Sequence, residues 1–501
     1  MSRLAPPARL LGVTALGAGL IAAAVLLPGT QSVRVDLSTA TERAAAAPSV
    51  PQPRPVGAAA LTCPGPEAAD GASPGTALLA VAAPPADLTP AAGGGAIEAA
   101  VLPTSGEPVP APGPTSDLLA PGDRQRTGRV SGSAGVLVSA GDGLAPGLTA
   151  EQTTLVTTGD LRGLTSTPCL SPAVDTWLVG GGGDEGRRGR LVLVNPAATP
   201  VQVRVDVLSA TGPVPPTPGS TVAVPARSRL VLLLDALAPG VSSPVVHVHA
   251  TGGSVAATLH DALLTGTTPR GADDVAPAAA PARRALVPGL TVNGRALLRL
   301  AVPGAAEAVG EVRLIGPSGP VDPPGGAAVR VPAGGTLDLD LGDLPPGTYG
   351  AEVTADVPVV AGAMVARGGD DGPADLAWLA STAPLRSLTG LAAVRSAQRW
   401  STTLELTAPR QDATVDLTTV DAAGTATTTT LRVPGGTSTL TALPDGQSAW
   451  LRPVSRSGEV VAARTTTYLN REGTDHGRLI TAASLTDLVT SWVDPVVLNG
   501  R

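Results

Sequence analysis

The chain is 501 residues long, carries a formal net charge of −7 and contains no lysine and no phenylalanine. Nucleic-acid binding draws its affinity from Lys and Arg neutralising phosphates, so this acidic balance argues against a nucleic-acid partner. With aromatic residues at 1%, the cores must be built from Val, Leu and Ala, whose burial contributes about 25 cal/mol per Å².

In chain order, Arg3 and Arg9 precede an uncharged apolar run from Leu10 to Leu27. At ~1.5 Å per residue this run is long enough to begin crossing a bilayer core of ~30 Å, and positive charge before an apolar core is the pattern of export. Residues 1–37 are therefore expected to be a signal peptide or a signal anchor with its flank, and cleavage and retention both fit. Positive charge stays inside, which places everything after Pro28 outside the cytoplasm, tethered by a single transmembrane segment or secreted. No cysteine follows closely enough for a lipid anchor. Residues 38–53 (STATERAAAAPSVPQP) have no apolar periodicity and read as a linker.

Beyond the linker, three sequence elements return four times in one order. The first is Leu79 to Pro84 (LAVAAP), Leu191 to Pro196 (LVLVNP), Leu298 to Pro303 (LRLAVP) and Leu404 to Pro409 (LELTAP). Their prolines, at 84, 196, 303 and 409, lie 112, 107 and 106 residues apart by subtraction. That is the period of a duplicated domain, well above the roughly 20 to 50 residues of solenoid repeats. The second element is Val109-Pro110-Ala111, Val224-Pro225-Ala226, Val331-Pro332-Ala333 and Val433-Pro434-Gly435. The third is AGVLVSA from Ala134, GGSVAATLHD from Gly252, DVPVVAGAMVAR from Asp356 and SGEVVAARTTTY from Ser457. The predicted units are 54–161, 162–283, 284–385 and 386–501. The first is expected to be a degenerate copy, because residues 84–122 are rich in Pro, Gly and Ala.

Strict alternation, as in Val201, Val203, Val205 and Val207 against Gln202, Arg204 and Asp206, means strands with one buried face. Within 284–385 seven such strands are predicted: ALVPGL, ALLRLAV, GEVRLIG, AAVRVP, TLDLDL, TYGAEVTA and VVAGAMVAR. Short strands separated by Gly and Pro turns predict an all-β fold of tandem antiparallel, immunoglobulin-like β-sandwich domains after the N-terminal membrane segment. One helix-like stretch is predicted, from Ile480 to Val489. The only two cysteines, Cys63 and Cys169, are expected to pair in an exported chain.

Thr62-Cys63-Pro64-Gly65-Pro66, Trp177-Leu178-Val179-Gly180-Gly181 leading into Leu191-Val-Leu-Val-Asn-Pro196, and Pro358-Val-Val-Ala-Gly362 give the chain a family likeness. It resembles the actinobacterial exported proteins catalogued as domain of unknown function 5719. That resemblance implies an envelope location and a β-rich exported part, and it carries over no catalytic residue.

Several residue groups are candidates for chemistry. Gly181 to Gly186 (GGGDEG) matches Gly-x-Gly-x-x-Gly, but no helix is predicted after it, so a hairpin loop is expected there instead of a dinucleotide cradle. Its neighbours Arg187, Arg188 and Arg190, with Trp177, form the candidate surface for an acidic envelope polymer or glycan. His247 and His249 share one strand face, with His260-Asp261 nearby, and His476 is remote; these read as polar strand faces and not as a zinc site. Asp273-Asp274 and Asp370-Asp371 are expected in solvated loops. Trp378, Trp400, Trp450 and Trp492 are expected mainly to fill cores. Gly71 to Gly75 (GASPG) lacks the strand and helix of a nucleophile elbow. No catalytic residue, metal or cofactor is expected. The sequence points to an exported cell-envelope protein acting as a non-enzymatic spacer or binding scaffold, with a glycan or a protein as partner. The alternative is a carbohydrate-binding or carbohydrate-active module.

Overall fold

The alternating segments fold as strands, with Val201, Val203, Val205 and Val207 buried while Gln202 and Arg204 are exposed. The computed structural model describes residues 54–67, 76–89, 94–105, 124–368, 372–471 and 477–492. The apolar run Leu10 to Leu27, the linker, Gly71 to Gly75, Val109 to Ala111, Asp370-Asp371 and His476 lie outside the described residues. Among those described, helix is confined to two single turns, Asp142–Leu144 and Leu234–Leu237, and no helix is long and apolar enough to cross a membrane.

The strands pair antiparallel into sheets that enclose four separate apolar cores. One connectivity recurs in four successive modules, and the third shows it best. Its first sheet runs from Gly319–Val321 and Ala328–Val331, which share Ala308–Gly316 as partner, through the start of Gly347–Arg367 to Ala282–Val292. Its second sheet orders Thr336–Asp340, Ala296–Ala301, the end of Gly347–Arg367 and Asp375–Ala380. Gly347–Arg367 thus crosses from one sheet to the other, merging two segments predicted as separate strands. The fourth module splits the same path into Ser448–Pro453 and Val461–Asn470.

The recurring Leu-rich element is in every copy the central strand of the second sheet: Thr76–Ala82, Arg187–Asn195, Ala296–Ala301 and Trp400–Ala408. Its first face fills the module's own core, through pairs such as Leu191 with Leu193 and Leu404 with Leu406. The opposite face is also buried, because the first sheet of each module packs on the second sheet of the next. Leu102 and Leu137 of the first module meet Val192 and Val194 of the second. Val179 and Val245 of the second meet Ala301 and Val360 of the third. Gly350 of the third lies against Thr407 of the fourth, where Ser438 donates to the Ile315 carbonyl. Trp450 and Val420 of the fourth meet Ala80 and Ala82 of the first. The succession closes into a ring. A clasp completes it, with Arg54–Pro55 pairing antiparallel with Ser491–Trp492.

Three expectations are corrected here. Residues 480–489 are not helical: Gly477–Ser484 is an edge strand of the fourth module. The structural equivalent of the third sequence element in the first module is Thr149–Val156, one strand later than the AGVLVSA match, which lies on Gly135–Gly141. Asp375–Ala380 was not among the predicted strands, because it is buried along its whole length and shows no alternation.

Cys63 and Cys169 are disulfide-bonded, and the bond ties the first module to the segment leading into the second. A loop of 106 residues is closed. In the chain-entropy picture a loop of about that length contributes roughly 4 to 5 kcal/mol. Reduction, or Cys63→Ser with Cys169→Ser, should lower the urea midpoint and steepen the slope, because the released unfolded chain exposes more surface; an unchanged midpoint would show that the bond contributes nothing.

Candidate functional site

Each second sheet ends on an edge strand, and the four edges meet at the ring's centre. They are Gly163–Pro168, Thr268–Val275, Asp375–Ala380 and Gly477–Ser484, each packed against two of the others in a closed cycle. An edge carries backbone donors that need partners when buried. Close approach is what the glycines permit. A Cβ at Gly163 would lie 2.7 Å from the Ala272 carbonyl oxygen, and one at Gly271, whose φ is +122°, would lie 2.4 Å from the Leu376 nitrogen.

Carboxylates satisfy the donors that no ladder reaches. Asp375 of the third module accepts from Leu164 N of the first at 3.1 Å, Ala272 N of the second at 3.2 Å and Ile480 N of the fourth at 2.8 Å. One side chain therefore bonds to every other module. Asp273 accepts from Trp378 N at 3.0 Å and the Thr481 hydroxyl at 2.9 Å, and Thr481 in turn accepts from Ser166 N at 3.0 Å. Asp274 accepts from the Thr167 hydroxyl at 2.5 Å and pairs with His260 Nδ1 at 2.8 Å. Burial pushes the Asp375 carboxyl up to about 8 against the pull of its N–H donors, and burial likewise holds Asp273 well above the ordinary carboxylate range. These aspartates are strand residues, so the expectation of solvated loop acids at 273–274 is overturned.

Most of the other sequence candidates are engaged within the second module or at its boundaries. Gly181 to Gly186 joins two strands that lie in different sheets, so it is an arch and not a hairpin loop. Arg187 pairs with Asp261, which also accepts from Trp378 Nε1 at 2.9 Å. Arg190 pairs with Glu67 at 3.2 Å, and Arg188 with Asp160 at 3.1 Å. Trp177 is buried and stacks on His247 with ring centroids 3.9 Å apart. His247 and His249 reach Asp175 at 2.8 and 3.6 Å, and no set of His, Cys, Asp or Glu among the described residues is arranged to hold a metal ion. Trp378 and Trp450 are buried at module boundaries, and Trp400 stands half-buried beside Tyr468 and Arg395. Trp492 contributes its backbone to the clasp.

Sequence reading missed the residues that join modules. Arg299 is fully buried and donates to the carbonyls of Gly181 and Pro244 at 2.8 and 3.0 Å, while gripping Asp338 through Nε and Nη2. Arg229, whose pKa burial lowers to about 10, donates to the Pro64 carbonyl at 2.7 Å and pairs with Glu67. Glu352 takes Arg284, Arg313 and Arg410, whose hydrogen bonds outweigh the burial that would raise its pKa and leave it lowered. The signal available in the sequence was a charge inside an otherwise apolar repeat, as in LRLAVP and LELTAP.

A cavity of about 500 Å³ lies where the segments after three of the central edge strands converge. Its walls include Ala60, Leu148, Leu170, Val255, Leu391 and Leu488.

These features define a ring of four antiparallel, sandwich-like β modules closed on a polar centre. The family model described as "Family of unknown function (DUF5719)" matches residues 125–444, more than half of the chain, and the chain belongs to that family. In the structure, two segments of its family likeness meet, since a Cβ at Gly362 would lie 2.5 Å from the Val179 carbonyl oxygen. No curated protein matches the chain. A solved structure described as a tetra-tandem repeat in the extending region of a large adhesion protein aligns over 84% of this chain and 93% of that one. Its identity is 14% and its TM-score 0.10, too low for structural argument.

Two outcomes follow from the buried charges. For Asp375, the unfolded carboxyl titrates near 4 and the folded one near 8. Its contribution to stability is thus complete below the unfolded value and is lost as pH rises through the folded one. Denaturation midpoints should fall between acidic and mildly alkaline pH, and Asp375→Asn should flatten that slope; an identical slope in the variant would contradict the assignment. Arg299→Met should cost about 3 to 5 kcal/mol, because Asp338 and several carbonyls lose their donor. Arg299→Lys should rescue little, since an ammonium lacks the planar fork; urea unfolding measures both.

Proposed function

We propose that this protein is an exported, non-enzymatic scaffold of the cell envelope, built of immunoglobulin-like modules and tethered by, or released from, the segment Leu10 to Leu27. The observation that carries this reading is the use made of the reactive side chains. Asp261, Asp273, Asp274 and Asp375 bond across module boundaries, and Arg187 and His260 brace Asp261 and Asp274 from within the second module. The disulfide supports an oxidising location, because such bonds persist outside the cytoplasm. A closed ring suits a rigid spacer, since each module is held by two neighbours.

Trapping thiols with a maleimide in living cells tests the location. Cys63 and Cys169 should stay unreactive until reduced, and the chain should fractionate with the membrane or the medium. Reduced thiols in a cytoplasmic fraction would sink the proposal. The glycan reading is tested alongside: retention on envelope polysaccharide that Trp177→Ala or Arg188→Ala abolishes would favour it over a plain scaffold.

A further inference from the structure

We propose that the cavity beside the clasp holds the hydrocarbon chain of a neutral membrane lipid. At about 500 Å³ it falls within the roughly 300 to 1,000 Å³ of small-molecule sites. Its walls are mostly Ala, Leu and Val, and neither Arg nor His lines it, so nothing there answers an anionic headgroup. Three carboxylates line it, and each is already engaged: Glu151 by Arg464, Asp175 by His247, and Asp487 by the backbone N–H groups of Arg386 and Ser387. The remaining polar side chains are uncharged Ser and Thr, of which Thr149 and Ser484 donate to the Gly390 and Ala380 carbonyls.

Position supplies the source of the ligand. Val56 and Val489 line the cavity, one and two residues from the clasp strands, and Val489 is 57% exposed. The chain continues from that clasp toward residues 1–53, which contain Leu10 to Leu27. On the tethered form of the proposed function, on which this inference rests for the lipid's origin, residues 28–53 connect Arg54 of the clasp to the apolar run.

The test uses the full-length chain reconstituted in phosphatidylcholine vesicles containing a diacylglycerol with a photoactivatable acyl chain. After irradiation and digestion, label should appear on peptides covering 145–151, 168–176 and 484–489. Ala60→Trp, placed on an exposed part of the wall, should cut that labelling by about tenfold, a difference of about 1.4 kcal/mol, with an unchanged melting temperature. A phosphatidic acid carrying the same chain should label these peptides less. Label confined to residues 1–37, or undiminished in both Ala60→Trp and Ala276→Trp, would overturn the proposal. If the protein does not join the vesicles, the tether reading fails alone: the same probe added to the free chain should still label the cavity peptides, and no labelling in either format overturns the lipid site.

Discussion

Closure of the ring on four buried strand edges is the constraint from which the rest of this structure follows. A sandwich whose second sheet ends on an open edge exposes backbone donors and acceptors that invite unwanted pairing. Four such edges turned inward remove that exposure, but they converge too irregularly to form ladders with one another, and none is hydrogen-bonded as a sheet neighbour of another. Buried donors left unpaired would each cost about 1 to 3 kcal/mol. Asp375 and Asp273, with Thr481, supply the missing acceptors. The raised pKa of Asp375 is the electrostatic cost of using a carboxyl where water cannot reach.

The same constraint explains the composition of the repeated strands. In an isolated sandwich the second face of the central strand would meet water and alternate with polar residues. Here both faces are covered, so Arg187–Asn195 ends in an unbroken buried run and Asp375–Ala380 is buried throughout. Small side chains suit this double burial. Ala80, Ala82, Ala256 and Ala301 let neighbouring sheets approach closely, and glycine at 350 and 362 allows direct contact with Thr407 and Val179.

Such burial also decides what could be read from the sequence. Peripheral strands with one wet face, such as Val201–Ser209, announce themselves through period two. The central edges do not: GLTSTP, TPRGADDV, DLAWLA and GRLITAAS mix small, polar and apolar residues with no period, because their side chains serve partners from other modules. Asp273-Asp274 therefore resembled a loop and Ile480 to Val489 a helix. The repeat itself was legible, since core positions such as Leu79, Leu191, Leu298 and Leu404 recur for the same reason in each copy. Which residues beside the Gly-rich arch find a partner was not, because Arg187 and Asp261 are separated by 74 positions and meet only once Arg187–Asn195 pairs with Ala256–Thr265.

Four modules of one connectivity raise a problem of order, since a head-to-tail interface that fits one neighbour could in principle fit another. The chain answers it at a single structural position. Pairing with the following strand aligns Ala80 with Glu151, Val192 with Thr258, Arg299 with Gly362 and Glu405 with Ala463, so these four residues are equivalent. Two are small or apolar, one is a cation and one an acid. Arg299 finds its carbonyl partners only on the second module, and Glu405 accepts from Gly289 N of the third at 2.9 Å. Pairing Arg299 with the wrong module would strand a buried charge, which costs about 3 to 5 kcal/mol, and mispairing Glu405 would take away its Gly289 N–H donor. Hydrophobic burial holds the ring together without distinguishing its members; the unequal polar anchors at this one position fix their sequence around it.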